Sequence, residues 1–114
     1  MSFWKKEIGF DLVDISRFEQ FAQGKDHNFL QKIFTPYELD YCFLYKNTAP
    51  HLAGIFAAKE AVSKALGVKK FPFAEIEIRH RDDGKPEAYR AGGKLLVSVS
   101  IAHTSTIATA VAIA

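Results

Sequence analysis

A chain of 114 residues, 48% apolar and 25% charged, is long enough for one buried core and too short for two independent ones, so one domain over 1–114 is expected. This composition excludes a disordered or fibrous chain, and a formal net charge of +2 is too small to demand a nucleic-acid partner, although Lys5, Lys6, Lys69 and Lys70 leave room for local basic patches. No segment is apolar enough to span a bilayer, MSFWKKEIGFDLV lacks a secretion-signal pattern, and the single Cys42 excludes an intrachain disulfide, so a soluble cytoplasmic protein is the default expectation.

The first element read along the chain is a strand over Glu7 to Val13, where Ile8, Phe10 and Leu12 alternate with other residues and Asp11 falls near the far end. Ser16 precedes Glu19 by three residues, a capping-box pattern that predicts a short helix carrying Arg17, Phe18 and Phe21. HNFLQKIF has helical character over a short length. Thr35, Pro36 and Glu38 then supply an N-cap, a first-turn proline and a reciprocal acid, predicting a helix through about Tyr45 in which Cys42 is buried packing. Asn47 to Pro50 punctuates the chain before a long helix that runs to about Leu66 and stops at Gly67.

On that long helix, the spacing in FAAKEAVSKALG sets Glu60, Ser63, Lys64 and Gly67 along one stripe, with Ala58, Ala61, Val62, Ala65 and Leu66 around the opposite side. One face is expected to pack and the other to do chemistry. Beyond Gly67 the period changes to two: Phe73 to His80 reads as a strand, Asp82-Asp83-Gly84 as a hairpin turn, and Lys94 to Ala102 and Ser105 to Ile113 as two further β-runs. Helices in the first half and antiparallel strands in the second make an α+β arrangement.

Asp11, Glu60, Lys64 and His103 each stand at the edge of a regular element, which suggests one polar site assembled from three parts of the chain. Taken singly each has a plain structural alternative. Glu60 and Lys64 are also spaced for a solvated i,i+4 ion pair, Asp11 for a strand-end or capping role, and His103 for a turn histidine.

GFDLV, KIFTPYEL, LAGIFAAKEAVSKALG, DDGKP and SIAHT, in this order, closely resemble the holo-acyl-carrier-protein synthases, the small-subunit group of 4'-phosphopantetheinyl transferases. The resemblance runs from about Ile8 to the C-terminus, and FAAKEAxSKALG with an upstream Gly-x-Asp is its specific part. It implies a long helix packed on a small antiparallel sheet, and a homotrimer with active sites between subunits. The implied activity moves phosphopantetheine from coenzyme A to a serine hydroxyl of acyl carrier protein, with Mg²⁺, releasing adenosine 3',5'-bisphosphate.

By the same resemblance Asp11 and Glu60 are the Mg²⁺ ligands, with waters and coenzyme phosphate oxygens completing an octahedron, and Lys64 stabilises charge and acts as a possible general acid. The proton of the serine hydroxyl has three routes, a metal-linked water, Glu60 or solvent. Lys59, Ser63, Gly67, His103 and Thr104 are read at the coenzyme, with an exposed surface role as the alternative for Lys59. Arg17 and Phe21 match the family's docking positions for an acidic carrier protein, Arg17 by charge and Phe21 as an apolar anchor, a core role being the alternative for Phe21.

Three positions depart from the family pattern. Ile55 stands where most relatives carry arginine, Gly67 is followed by Val68-Lys69-Lys70-Phe71 in place of a Gly-Thr-Gly turn, and Phe10 replaces a smaller or polar residue. An inactive relative that binds coenzyme A or a carrier protein is the second functional expectation. A metal-dependent phosphodiesterase is the third.

Overall fold

The computed structural model describes residues 6–21, 24–68 and 73–114. In chain order these form β1 (Ile8–Asp14), α1 (Ser16–Glu19), α2 (Asn28–Ile33), α3 (Pro36–Cys42), α4 (Ala49–Leu66), a 3-10 turn (Phe73–Glu75), β2 (Ile76–His80), β3 (Pro86–Arg90), β4 (Gly93–Lys94), β5 (Ser98–His103) and β6 (Ile107–Ile113). Two three-stranded antiparallel sheets result, β1-β6-β5 and β2-β3-β4. The α+β class is as expected from sequence, but the strand content is divided between two sheets. Lys94 to Ala102 is not one run: β4 completes the second sheet, Leu95 N donates to Ala88 O at 2.8 Å, and the chain then crosses to pair β5 with β6. β3, the return leg of the Asp82-Asp83-Gly84 turn, begins on Pro86, a strand position that tolerates a missing N–H.

α4 is the element on which the rest is built. It lies diagonally across the first sheet, with Gly54 against Ile101 of β5 and Ala61 and Ala65 against Gly9 of β1. A side chain at Gly9 would have its Cβ 1.7 Å from Ala61 O, so strand and helix meet backbone to backbone. Alanines at 57, 58, 61 and 65, all buried, keep that approach close. Nearly every face of α4 is covered, which replaces the expected division into a packing side and a chemical stripe: Ser63 is 6% exposed while Leu66 is 37% exposed. The helix stops at Gly67, whose φ of 73° is left-handed, with Gly67 N donating to Lys64 O at 3.1 Å and Val68 N to Ser63 O at 3.1 Å.

The alternation in β1 is real, but its core face is the opposite one. Gly9 and Val13 lie under α4, while Ile8, Phe10 and Leu12 are 66%, 53% and 55% exposed. The helix backbone is so near β1 that a large side chain cannot face it at Gly9, and the apolar row is turned outward.

α3 has the predicted capping box, with Glu38 N donating to Thr35 Oγ1 at 3.2 Å and Thr35 N to Glu38 Oε1 at 2.9 Å. It ends at Cys42 and continues to Tyr45 only as turns. Ser16 makes no cap: Ile15 holds that position and no side-chain bond closes it.

Candidate active site

β1 and α4 bring Asp11, Glu60 and Lys64 together, as the sequence spacing suggested. Asp11 points toward α4, its backbone steadied by Thr109 Oγ1, which donates to Asp11 O at 2.9 Å. Lys64 reaches across from the helix, donating to Phe10 O at 3.0 Å and standing 3.4 Å from Asp11 Oδ1. Glu60 lies one turn before Lys64 and is half-buried. Burial pushes its carboxyl above the ordinary range and the charge of Asp11 pushes it further, while Lys64 and Arg17 pull it back. Two carboxylates that repel each other beside an open side leave a demand for positive charge. Among the described residues no group of three His, Cys, Asp or Glu is spaced to hold an ion, so any ion here would take two protein carboxylates and complete its shell from water or substrate. That donor set fits a hard, largely hydrated divalent cation such as Mg²⁺.

Arg17 sits over the Phe56 ring at 5.4 Å, within electrostatic reach of Glu60. Beside it Phe21 is half-buried and stacks on Phe29, with centroids 4.9 Å apart and planes at 14°. Arg17, Phe18, Gln20, Phe21 and Phe29 line a groove of about 260 Å³. Phe21 therefore serves neither purely as core nor purely as surface, and Phe29, 40% exposed, is a member that the sequence reading did not single out.

Four other expected site residues are placed differently. Lys59 is not a surface lysine: it is 0% exposed, and its Nζ donates to Glu38 Oε1 at 2.5 Å and to Ile33 O at 2.8 Å. Glu38, equally buried, also accepts from Ile78 N at 2.7 Å, so the pair ties α3, α4, β2 and the end of α2 together. Burial draws both groups toward neutrality, and their mutual attraction opposes it. Lys59 is thereby held in the core, bonded to Glu38 and to the backbone of Ile33. Ser63 Oγ donates to Val68 O at 3.0 Å and closes the helix end, which accounts for the residue without a phosphate. Gly67 is exposed and its left-handed turn is explained by helix termination. Thr104 Oγ1 accepts from Thr106 N at 3.2 Å and Ile107 N at 3.1 Å, shaping the β5–β6 turn. The loop lysines Lys69 and Lys70, with Phe71, lie outside the described residues, as does Lys5.

His103 is exposed at the end of β5, its Nδ1 3.0 Å from Thr104 O, and its ring centroid is 6.0 Å from that of His51 at the start of α4. His51 precedes Glu60 by nine residues, roughly 13 Å of helix. Within one chain, then, the expected single site is in two parts: Asp11, Glu60 and Lys64 in one, His103 in the other. His103 shares its part with His80 and Tyr41, which stack at 4.0 Å. Sequence reasoning missed His51 and His80; their only signal was an imidazole at each end of a regular element.

The model of the 4'-phosphopantetheinyl transferase superfamily matches residues 7–114. The chain is 40% identical to the holo-[acyl-carrier-protein] synthase of Caldanaerobacter subterraneus subsp. tengcongensis, covering 94% of this chain and 92% of that one. It is 38% identical to the one from Thermodesulfovibrio yellowstonii, covering 90% and 92%. Among solved structures, a holo-(acyl-carrier-protein) synthase from Bacillus anthracis in complex with CoA (3',5'-ADP) superposes with a TM-score of 0.80 at 32% identity, covering 94% of this chain and 93% of that one. The Helicobacter pylori enzyme in complex with coenzyme A gives 0.78 at 30% identity, covering 94% and 99%. Among the described residues no helix is long and apolar enough to cross a membrane. With these likenesses spanning almost all of both partners in each comparison, the chain belongs to the 4'-phosphopantetheinyl transferase superfamily, within its holo-[acyl-carrier-protein] synthase family of enzymes.

Proposed function

We propose that this protein, as a single cytoplasmic domain, transfers 4'-phosphopantetheine from coenzyme A to a serine hydroxyl of an apo acyl carrier protein, with Mg²⁺, releasing adenosine 3',5'-bisphosphate. The observation that carries the reading is the contact between β1 and α4: two mutually repelling carboxylates, Asp11 and Glu60, with Lys64 bridging to the same strand. Family membership supplies the substrate class, since the curated relatives are holo-[acyl-carrier-protein] synthases and related structures hold coenzyme A.

In the transfer, the serine oxygen bonds to the phosphorus that carries pantetheine, the bond from that phosphorus to the bridging oxygen breaks, and adenosine bisphosphate leaves with the electron pair. The hydroxyl proton leaves to a base or to solvent. Asp11 and Glu60 would hold the magnesium ion, which when bound shields the charge of the diphosphate. Lys64, whose side chain is half exposed and bonded among the described residues to one backbone oxygen beside a 3.4 Å contact to Asp11, can turn and stabilise charge on the departing oxygen. Arg17 and the Phe21–Phe29 stack offer an acidic carrier a cation beside an apolar groove.

A homotrimer completes this reading. The outward row Ile8, Phe10 and Leu12, continued by Ile113 at 42% exposure on β6, is an apolar sheet face that a second copy would cover. Packing between copies is also what would bring His103 of one subunit toward the carboxylates of its neighbour.

Incubation with coenzyme A, Mg²⁺ and several apo carrier proteins tests the proposal by mass spectrometry. A phosphopantetheine adduct on the carrier serine is expected. Coenzyme binding with no adduct on any carrier would favour the inactive binder, and nucleotide release without an acceptor would favour a phosphodiesterase.

A further inference from the structure

Among the described residues Glu38 and Lys59 are the two buried charges, both 0% exposed, and the transfer chemistry uses neither. Their setting on α4 is informative. Along one side of the helix Gly54, Ala58, Ala61 and Ala65 recur at intervals of three and four, and this stripe meets the first sheet, Gly54 at Ile101 and Ala61 with Ala65 at Gly9. Along another side Leu52, Ile55, Lys59 and Val62 make a buried ridge of the same spacing, so a lysine stands where the period calls for an apolar residue.

The two sides hold the helix differently. A stripe of glycine and alanine packs closely but smoothly, and with no long side chains to interlock it resists separation better than rotation. The lysine side is directional. Lys59 Nζ donates to Glu38 Oε1 at 2.5 Å and to Ile33 O at 2.8 Å, and stands 5.7 Å from the centroid of the Phe34 ring. Glu38 is itself fixed, accepting from Ile78 N at 2.7 Å and Thr35 N at 2.9 Å, so the anchor belongs to α3 and β2 together. Apolar residues of similar volume are often at least as stable as a buried ion pair, and setting register is the best-attested use of such a pair.

Glu60 follows Lys59 directly, about 100° round the helix. A side-chain end stands about 5–6 Å from the helix axis, so a rotation of about 10° carries the Glu60 carboxylate about 1 Å relative to Asp11 on β1. A displacement of about 1 Å is enough to cost an active site about 100-fold. We propose that the buried Glu38–Lys59 pair is a positioning device for the metal site, fixing the rotation of α4 so that Glu60 faces Asp11. This rests on the carboxylate-held Mg²⁺ of the transfer reaction proposed above and deepens it. Neither residue of the pair touches substrate or ion; both act through Glu60.

Mn²⁺, which suits the same oxygen ligands, is the probe. Its binding to the intact protein with coenzyme A present is read by electron paramagnetic resonance, well below the melting temperature of every variant. The site is the Mn²⁺ that Asp11→Asn and Glu60→Gln each release. Lys59→Met is expected to weaken that binding about tenfold, as loss of a supporting contact does at metal sites, and to raise the Mg²⁺ concentration for half-maximal transfer by a similar factor, with KM for the carrier unchanged. In the Lys59→Met, Glu38→Gln double variant stability returns in part while Mn²⁺ affinity stays low, and this variant carries the test if Lys59→Met alone does not fold. A purely structural pair moves the melting temperature and leaves Mn²⁺ affinity where it was. Parental Mn²⁺ affinity in the folded double variant therefore overturns the positioning role and leaves the metal reading standing. Mn²⁺ binding indifferent to both Asp11→Asn and Glu60→Gln removes both.

Discussion

Gly9→Ala is the most informative single substitution, because it adds one methyl group at the point where β1 and α4 touch. The new Cβ would stand 1.7 Å from Ala61 O and 2.7 Å from Ala65 N, both backbone atoms of a buried helix that cannot rotate aside. Restoring ordinary contact requires strand and helix to part by about 1.5 Å, enough to forfeit much of the dispersion contact along the seam. Overpacking of a yielding core costs about 1–3 kcal/mol, and with rigid backbone on both sides the upper end is expected, a fall in Tm of about 12 °C. Gly67→Ala is the control. Its Cβ meets nothing within 4 Å, and only the left-handed φ of 73° is penalised, about 1 kcal/mol or 4 °C. Asp11 rides on the same strand two residues from Gly9, so Gly9→Ala should also raise the Mg²⁺ concentration needed for half-maximal transfer. Calorimetric melting and a Mg²⁺ titration of activity read both effects. A Gly9→Ala protein that melts within a degree or two of the parent, with an unchanged Mg²⁺ requirement, would refute the backbone-contact argument.

Glu60→Gln should lower transfer by more than the roughly 10–100-fold that loss of a supporting contact costs, yet leave a fold at least as stable without metal near neutral pH. The sign follows from the raised carboxyl. The native state binds a proton more tightly than the unfolded chain, so the parent loses stability as pH rises from the ordinary carboxylate range through the elevated native value, and the amide removes that slope; pH-dependent denaturant melts check it. Lys59→Met leaves the Glu38 carboxylate buried without its cation and should cost about 3–5 kcal/mol, partly recovered in the Lys59→Met, Glu38→Gln double variant; equal melting of parent and single variant would discount the pair. Arg17→Ala should weaken carrier association about tenfold and flatten its salt dependence, with coenzyme A affinity unchanged, measured by surface binding at several ionic strengths.

What was legible in the sequence was what local chemistry decides. Thr35, Pro36 and Glu38 announced the start of α3 through groups within one turn of each other, and Gly67 announced the end of α4. Asp11, Glu60 and Lys64 were paired across the chain because helical spacing and a strand end put the right groups at edges. What misled were features fixed by partners far away. Ile8, Phe10 and Leu12 have the period of a core strand, and only the contact of Gly9 with Ala61 reveals that the other face is inside. Lys59 has the spacing of a solvated lysine, and only Glu38, 21 positions earlier, explains its burial. The break between β4 and β5 at Leu95–Val97 left no turn residue to betray it, since Leu95, Leu96 and Val97 continue the apolar run into β5. His51 and His80 meet through the packing of α4 against the second sheet, which no periodicity encodes.

Among the described residues β1 pairs with β6 alone, and Asp11 rests on Thr109, 98 positions later. A nascent chain leaving the ribosome thus exposes β1 long before its partner exists and must keep it unzipped until β6 has been made. Long-range closure of this kind folds slowly, and it acts as a completeness check: a message cut short before β6 yields a polypeptide with nowhere to seat its first carboxylate.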